Sequence, residues 1–384
     1  MSDNKKILLF TDWYEPGFKA GGPIQSCKNI VNTLAGDYDF FIFTSDRDLG
    51  DTAPYSGIKT DQWIKLPNGA QVWYASPSFL KSSNIRKIIS NVQPDMVYLN
   101  SMFSPGFSLL PLWILRSMHF SGRIILAPRG MLNTSAVSRK KWKKKIFLSL
   151  FSLSRMARKI VFHATDNQEK TDIQRYFKNT AQVYLIENIP NANTLWTARP
   201  KKRGDIKCVF VSRIHPIKNL LYAINVVKSL AGCTVQFDVY GAIEDDKYFQ
   251  KCRESVSRAN PHIQVNFKGP VANTHLFKVL EEYHLMFLPT QGENFGHVIF
   301  EALSCGCIVL ISDKTPWSDV NESNAGWALP LTDNRNFAKK IKEVCDMDIA
   351  EFSEKSKAAF SYAKAYLGSM NLKGKYSSLF QTTE

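Results

Sequence analysis

Residues 288–319 read LPTQGENFGHVIFEALSCGCIVLISDKTPWSD and carry the most informative local pattern of the chain. The apolar run 285–290 predicts a buried strand, which Gln291 and Gly292 break. Residues 298–304 then have the spacing of a helix, and 307–312 resume as a strand. We therefore predict that 293–296 form a strand-to-helix turn at the ligand-binding edge of an open parallel sheet.

Two carboxylates flank this turn. Glu293 and Glu301 are eight residues apart, so on a helix both would face one side. A helix N-terminus offers N–H groups and a positive dipole end to an anion or a hydroxyl-rich group, and Gly296 would let a ligand approach the backbone closely. Two carboxylates suit a polyol, because each accepts hydroxyl hydrogen bonds. The alternative is that Glu293 only caps the helix and Glu301 only forms a surface ion pair.

The motif E-N-F-G-x4-E-A-L-x-x-G, followed by a strand and T-P-W, resembles the donor-site signature of family 4 glycosyltransferases of the bacterial polysaccharide type. These are retaining enzymes with the GT-B fold. The resemblance implies that Glu293 contacts the transferred sugar and that Glu301 binds the ribose hydroxyls. It also implies that the backbone of Asn294, Phe295 and Gly296 lies near the sugar and the diphosphate of a nucleotide-sugar donor.

The length of 384 residues fits two domains of roughly 180 residues, each with its own core. Hydrophobic residues make up 44% and charged residues 22%, which is typical of a globular protein. Seven scattered cysteines indicate reduced thiols in a cytosolic protein. Cys305 and Cys307 have no second Cys or His pair nearby, and no D-x-D motif lies between the nucleotide-binding strands. We therefore expect no cofactor and no obligatory metal ion.

The N-terminus runs directly into a strand without a signal-peptide pattern, and no apolar run approaches the roughly 20 residues that span a bilayer. These features predict a cytoplasmic protein whose membrane contact, if it has any, is peripheral.

Short apolar runs alternate with helix-length segments along the chain, which predicts α/β architecture with doubly wound parallel sheets. The predicted strands are 7–11, 40–45, 72–75, 96–100, 124–127 and 160–164, then 208–212, 235–240, 263–267, 285–289 and 308–312. A polar, proline-bearing stretch at 188–205 separates the two series. We predict Rossmann-like domains at 1–190 and 191–360. The resemblance makes the first acceptor-binding and the second donor-binding, with a helix in 361–384 crossing back to the first domain.

After the first predicted strand, Gly21 and Gly22 precede a helix-like segment. Paired glycines before a helix can cradle phosphates through backbone N–H groups, although Gly-Gly-Pro is also an ordinary loop. In the family that the chain resembles, a Gly-Gly loop at this place contacts the donor diphosphate.

Arg129 closes the fifth predicted strand, where many members of that family carry a histidine followed by glycine. Arginine cannot act as a general base at neutral pH, so a histidine-based role does not transfer. Arg129 could clamp a phosphate or an anionic acceptor, or it could be a surface arginine paired in a loop.

The first strand of the second domain ends in an R-x4-K-N turn. We expect Arg213 and Lys218 to lie over one spot and stabilise a departing nucleoside diphosphate, with Asn219 capping the next helix. His215 is expected to be structural. By resemblance, the strand-end turn with Gly269 and Val271 frames the nucleotide through its backbone. Retention in this family has no placed nucleophile, so a front-face mechanism is implied, in which Arg213 and Lys218 hold the leaving phosphate and Glu293 orients the sugar.

The net charge of +15 indicates an anionic partner. Residues 96–165 contain twelve Lys or Arg and no Asp or Glu. Within them, the segment from Ser138 to Lys159 holds nine basic residues and an apolar stripe, with Phe147, Leu148 and Phe151 adding apolar surface. This pattern predicts an amphipathic helix at an anionic membrane surface, from which the enzyme would meet a lipid-linked glycan acceptor. The alternative is an ordinary domain helix with solvated lysines.

Two other functions remain open from the sequence. A nucleotide-sugar epimerase on the same fold would keep the donor site and need a catalytic acid and base. A non-enzymatic polyanion-binding protein would explain the basic region but would leave Glu293 and Glu301 unused. The chain has no RNA-binding signature, which argues against nucleic acid as a partner.

Overall fold

The computed structural model describes residues 4–132, 148, 151, 159–177, 182–256 and 260–381. The chain divides into two compact units. The N-terminal unit comprises residues 1–189 together with 371–384, and the C-terminal unit comprises 190–370. Each unit is built on its own sheet.

The sheet of the N-terminal unit has eight strands in the order β3-β4-β2-β1-β5-β6-β7-β8. Its strands are β1 (Lys6–Phe10), β2 (Asp39–Ser45), β3 (Trp63–Lys65), β4 (Gln71–Ala75), β5 (Met96–Leu99), β6 (Arg123–Leu126), β7 (Ile160–Ala164) and β8 (Gln182–Leu185). All neighbouring pairs are parallel except β3 with β4. The central strands read as continuous apolar runs because helices cover both faces of a parallel sheet. The short edge strands β3 and β8, only half-buried, were not predicted.

The α-helices that the structure gives with full bounds in residues 4–189 are α1 (Gly22–Leu34), α2 (Ser82–Val92), α3 (Leu110–Ser117) and α4 (Asn167–Phe177). Helix α1 shows why these segments are helical. Pro23 occupies its first turn, where the fixed φ of proline is favourable. Ile24, Cys27, Val31 and Leu34 then recur at helical spacing and are fully buried.

The sheet of the C-terminal unit has six parallel strands in the order β11-β10-β9-β12-β13-β14. They are β9 (Asp205–Val211), β10 (Thr234–Tyr240), β11 (Ile263–Gly269), β12 (Leu285–Leu288), β13 (Ile308–Ser312) and β14 (Gly326–Leu329). The helices are α5 (Leu220–Lys228), α6 (Asp246–Val256), α7 (Asn273–Leu280), α8 (His297–Ser304), α9 (Asn334–Asp346) and α10 (Ile349–Ser369). The alternation of strand and helix that the sequence predicts is thus present in this unit.

The return to the N-terminal unit occurs at residue 371, not at 361 as predicted. Residues 361–370 stay with the C-terminal unit because α10 is one continuous helix, and its Ala359 and Ala363 are buried in the core of that unit. Helix α11 (Leu372–Phe380) belongs to the N-terminal unit, where the ring of Phe380 lies 5.3 Å from that of Tyr38.

Each sheet reverses its winding direction once. In the N-terminal unit the reversal lies between β1 and β5, and in the C-terminal unit it lies between β9 and β12. The loops that follow the two strands at such a switch point run apart and leave a crevice at the carboxyl edge, where ligands of α/β proteins bind.

Most of the predicted amphipathic helix at 138–159 lies outside the described residues. Two of the residues counted as added apolar surface are described: Leu148 is 2% and Phe151 is 7% exposed. Both belong to the core of the N-terminal unit, and Phe151 packs against Phe177 with ring centroids 5.7 Å apart. The prediction that Leu148 and Phe151 are available to a membrane is therefore wrong, because these two side chains pack inward.

Candidate functional site

The loops that follow β9 and β12 are joined at the switch point of the C-terminal unit. Gln291 N–H and the Thr290 hydroxyl both donate to the carbonyl of Ile217, at 2.7 and 3.2 Å. Across the same junction, Lys218 Nζ lies 2.5 Å from Glu293 Oε1, and each of these side chains is 12% exposed. Two of the predicted catalytic residues, distant in sequence, are thus brought into one mostly buried ion pair.

Arg213 lies on the loop after β9 and pairs with Glu244. The distance between Arg213 Nη1 and Glu244 Oε2 is 2.6 Å, and both side chains are about one-third exposed. The loop that carries Glu244 is held beside β9 by a parallel bridge between Ile214 and Ile243. A pair this exposed is weak, so an incoming diphosphate can replace Glu244 at Arg213. Glu244 had no sequence signal of its own.

The turn between Arg213 and Lys218 is fixed by His215, as expected for a structural residue. The Nδ1 atom of His215 accepts the Ile217 N–H at 3.2 Å and starts the 3-10 turn Pro216–Lys218. Asn219 does not cap α5 through its side chain. The prediction of a cap is wrong because Asn219 has a left-handed backbone with φ of 62°, whereas a capping side chain requires an extended backbone.

The E-N-F-G segment forms a loop before α8. The N–H of Glu293 donates to Lys314 O at 3.0 Å, and Gly296 stands at the N-cap with φ of 75°. The left-handed backbone favours glycine at this position, whereas a Cβ on Gly296 would meet only the movable Ile299 Cδ1, at 2.9 Å. Because α8 begins only at His297, the helical-face argument that placed Glu293 and Glu301 on one side is wrong.

Phe295 and Trp317 hold this loop in place. The Trp317 indole N–H donates to Phe295 O at 2.5 Å, and the two rings lie 5.1 Å apart in an edge-on contact. Both side chains are buried, so a ligand at this loop meets its backbone and not the Phe295 ring. The supporting role of Trp317 was missed, although T-P-W forms part of the motif quoted above.

Glu301 lies in α8 and is 4% exposed. Its carboxyl group makes no hydrogen bond to any residue that the structure describes, and burial raises its pKa to about 8. A surface ion pair, the alternative reading of Glu301, is thereby excluded. A buried carboxyl without a partner is costly, and its hydrogen-bonding capacity is available to a ligand with hydroxyl groups.

Gly269 and Val271 lie on the strand-end turn after β11. Gly269 O accepts the Gly241 N–H at 2.9 Å, and Val271 is half-buried. A Cβ on Gly241, which follows β10, would lie 1.8 Å from Ser212 O, so the turn after β10 packs directly against the end of β9. The role of Gly269 and Val271 in framing a nucleotide stays a prediction.

Gly21 and Gly22 belong to the N-terminal unit, in the loop between β1 and α1. Gly21 has φ of 66° and nothing within 4 Å of an added Cβ. Its own N–H donates to Phe18 O at 3.0 Å, whereas the Gly22 N–H meets no acceptor in the described part of the chain. Asp48 fixes the loop by accepting the N–H groups of Phe18 and Lys19 at 2.7 and 3.0 Å. The predicted donor residues are thus divided between the two units.

Arg129 points into the N-terminal unit. Its guanidinium donates to Asn100 Oδ1, Asn188 Oδ1 and Tyr98 Oη at 2.7, 2.5 and 2.8 Å. These bonds engage three of the five N–H groups of Arg129 with buried acceptors, so the geometry favours a positioning role for Arg129 over the predicted clamp on a phosphate or an anionic acceptor.

The Arg129 contacts continue as a directed chain. Tyr98 Oη lies 2.7 Å from His163 Nδ1, and His163 Nε2 lies 2.8 Å from Ile186 O. Since a carbonyl only accepts, His163 carries its proton on Nε2, and the Tyr98 hydroxyl donates to Nδ1. Burial, followed by the charge of Arg129, lowers the His163 pKa to about 3, so this histidine is neutral.

All seven cysteines are buried and free of disulfides. Within the described ranges, no group of three or more His, Cys, Asp or Glu side chains is arranged to hold a metal ion. No helix in the same part of the chain is long and apolar enough to cross a membrane.

Comparison with known proteins gives one family and one fold. Residues 195–365 match the family model described as "Glycosyl transferases group 1". A comparison with curated proteins finds no match. The matched segment holds every predicted site residue of the C-terminal unit.

Solved structures similar to the whole chain have the GT-B fold of two parallel-sheet α/β domains. Sucrose-phosphate synthase from Thermosynechococcus elongatus gives a TM-score of 0.70 at 15% identity, covering 98% of this chain and 99% of that one. HepE from Anabaena in complex with UDP and glucose gives a TM-score of 0.69 at 14% identity, and the match covers 98% of each chain. WaaG, a glycosyltransferase involved in lipopolysaccharide biosynthesis, gives a TM-score of 0.62 at 13% identity. The match covers 95% of this chain and 96% of that one. At these identities the likeness shows the fold alone, and the predicted GT-B fold is confirmed.

Proposed function

Because the chain is a glycosyltransferase whose residues 195–365 match group 1, we propose that it moves a sugar from a nucleotide-sugar donor to a glycan acceptor with retention of configuration. The observation that carries this proposal is the buried carboxyl of Glu301, which has no partner in the described structure. It lies on the helix that starts from the E-N-F-G loop. A ribose offers two adjacent hydroxyl groups, which satisfy such a carboxyl directly.

The donor chemistry follows from the paired charges at the switch point. As the glycosidic bond breaks, the diphosphate gains negative charge, which fixed cations stabilise. Lys218 and Arg213 are those cations, and the diphosphate takes the places that Glu293 and Glu244 hold in this structure. Glu293, once released from Lys218, orients the transferred sugar. The leaving phosphate oxygen then accepts the proton of the attacking hydroxyl on the same face, so the reaction needs no enzymic nucleophile.

We propose that these two cations make a metal ion unnecessary. We expect turnover to persist in excess EDTA. If EDTA abolished turnover and added Mg²⁺ or Mn²⁺ restored it, the proposal that no metal ion is needed would be contradicted.

The nucleotide is found by calorimetric titration of UDP, GDP, ADP and dTDP into the purified protein. UDP is the first to test, because the similar HepE structure is described with UDP and glucose. One nucleoside diphosphate should bind with a clear preference. Failure of all four to bind would overturn the proposal.

Arg213→Ala and Lys218→Ala are each expected to reduce turnover with saturating donor by about a hundredfold or more, as loss of one transition-state stabiliser does. Arg335→Ala and Lys339→Ala, which remove exposed cations of α9, are matched controls and should keep full activity. Melting curves establish that the variants are folded. Near-normal rates for both Arg213→Ala and Lys218→Ala would show that the diphosphate lies elsewhere.

We further propose that the acceptor is a lipid-linked glycan of cell-surface polysaccharide synthesis, which the enzyme meets at the cytoplasmic face of the membrane. The support is the charge distribution: residues 96–165 carry twelve basic and no acidic residues, six of the basic ones between Arg139 and Lys145. Each contributes about 1 kcal/mol near an anionic surface. Since Leu148 and Phe151 are buried, the attraction is expected to be electrostatic.

A further inference from the structure

The switch point of the N-terminal unit is bridged by side chains in the same way as that of the C-terminal unit. Asp12 lies in the loop after β1, and Ser104 lies in the loop after β5. The Ser104 hydroxyl donates to Asp12 Oδ1 at 2.6 Å and so joins the two loops across the reversal of the sheet. The corresponding bridge in the C-terminal unit is the ion pair of Lys218 with Glu293. Both bridges stand where α/β sheets bind their ligands.

Asp12 is a half-buried carboxylate that has few polar or charged partners to offset the cost of its burial. No Lys or Arg of the described chain lies within ion-pair distance of it, and Ser104 is its one side-chain partner there. Burial raises the pKa of Asp12 above its ordinary value despite the Ser104 hydrogen bond. A carboxylate that costs stability in this way, inside a crevice, is a functional candidate.

The floor beneath this bridge is rigid. Asn100, which follows β5, donates through Nδ2 to Thr11 Oγ1 and Pro23 O at 3.4 and 3.5 Å, and its Oδ1 accepts from Arg129. Trp13, next to Asp12, is half-buried and stacks on no aromatic ring that the structure describes. A carboxylate and an indole on consecutive residues of this loop suit a neutral, hydroxyl-bearing ring, whereas a carboxylate repels a diphosphate.

We propose that Asp12, held by Ser104, binds a hydroxyl group of the sugar that accepts the transferred residue. The assignment rests on the proposed glycosyl transfer and gives the N-terminal unit its substrate contact. Asp12 accepts a hydrogen bond from the acceptor hydroxyl and so orients the nucleophile; no covalent step is assigned to it.

The test compares Asp12→Asn with wild type in three measurements on the full chain. They are calorimetric affinity for the preferred nucleoside diphosphate, donor hydrolysis with water as acceptor, and transfer to a panel of methyl glycosides. Binding of the same methyl glycosides is followed by saturation-transfer NMR. Asp95→Asn is the matched control, since Asp95 accepts the Lys6 N–H at the opposite, amino edge of the same sheet.

Asp12→Asn is expected to lower kcat/KM for the glycosides by about tenfold or more, the cost of losing one hydrogen bond to a charged group. Donor hydrolysis and nucleotide affinity should be unchanged. The melting temperature should stay level or rise, because the amide still accepts from Ser104 and carries no buried charge. A merely structural Asp12 would instead lower stability.

Three results would overturn the assignment. The first is normal transfer by Asp12→Asn, and the second is an equal loss of transfer and hydrolysis. The third is a wild type that neither binds nor uses any glycoside of the panel while it still binds nucleotide. If nucleotide binding itself is absent in wild type, the proposed function fails and not this assignment alone.

Discussion

At the level of single residues, Glu293 and Glu301 differ in burial, although the sequence motif gives no reason to distinguish them. Glu293 has a cation partner and some exposure, whereas Glu301 is almost fully buried and has no hydrogen bond from its carboxyl in the described structure. A group raised to a pKa of about 8 by burial is mostly protonated at neutral pH. The two residues should therefore respond differently to the same substitution.

Glu293→Gln is expected to reduce sugar transfer with little change in nucleotide affinity, because the role proposed for Glu293 is to orient the transferred sugar. Glu301→Gln is expected to weaken binding of the nucleoside diphosphate by about tenfold, because one hydrogen bond to the ribose is lost. Calorimetry with free nucleotide separates the two effects. Glu322→Gln, an exposed residue of the same unit, is the control. Equal weakening of nucleotide binding by both changes would reject this division of roles.

The pKa of Glu301 also gives a stability test for the ligand-free protein. Its folded pKa of about 8 exceeds the ordinary glutamate value of 4.5, so the contribution to stability is complete below pH 4.5 and is lost as the pH rises through 8. At 1.36 kcal/mol per pKa unit the loss reaches about 5 kcal/mol. The melting temperature of Glu301→Gln should therefore rise relative to that of wild type as the pH is raised from 5 to 9. Scanning calorimetry measures this difference. A constant difference would mean that Glu301 is not buried as described.

At the level of elements, Arg129 joins the ends of several strands. Through Asn100, Tyr98 and His163 its hydrogen bonds connect the loops after β5 and β6 with β7. This network fixes the carboxyl edge of the N-terminal sheet, which is the floor under Asp12. These contacts are those of a positioning residue, although Arg129 stands where the resemblance led us to expect a ligand contact.

Arg129→Met is expected to destabilise the protein by about 3 kcal/mol, because it leaves buried acceptors without donors at roughly 1 kcal/mol or more each. Urea unfolding measures this change. Nucleotide affinity of the folded variant should be unchanged. Arg116→Met, on the exposed side of α3, is the matched control and should be neutral. Wild-type stability combined with lost nucleotide or acceptor binding would restore the ligand-clamp hypothesis.

At the level of the whole molecule, charge is distributed unevenly between the two halves of the chain. The excess of basic residues falls in the N-terminal unit, and part of it lies in 139–145. An attraction of this kind acts at long range and is screened by salt. It should therefore appear as membrane binding that depends on both lipid charge and ionic strength.

Wild type is expected to float with vesicles of phosphatidylglycerol and phosphatidylcholine at low salt and to be released as salt rises. Changing Lys140, Lys141, Lys143, Lys144 and Lys145 to Gln should abolish flotation. The control changes five exposed lysines of the C-terminal unit to Gln: Lys247, Lys251, Lys339, Lys357 and Lys364. Flotation lost equally in both variants would indicate net charge and not a local surface. No binding by wild type, or equal binding by wild type and the 140–145 variant, would return 138–159 to a purely structural role.

The sequence by itself determined the two-sheet architecture, the strand-to-helix turn before α8 and the glycosyltransferase signature. These depend on hydrophobic periodicity and on local backbone requirements, such as the glycine at position 296, which neighbouring residues impose. Tertiary structure alone decided the pairing of Lys218 with Glu293, the burial of Glu301 and of Leu148, and the inward orientation of Arg129. It also brought Asp12 to Ser104. Each of these depends on contacts between residues far apart in the chain, and such contacts arise only when the strand order brings separate loops to one edge of a sheet.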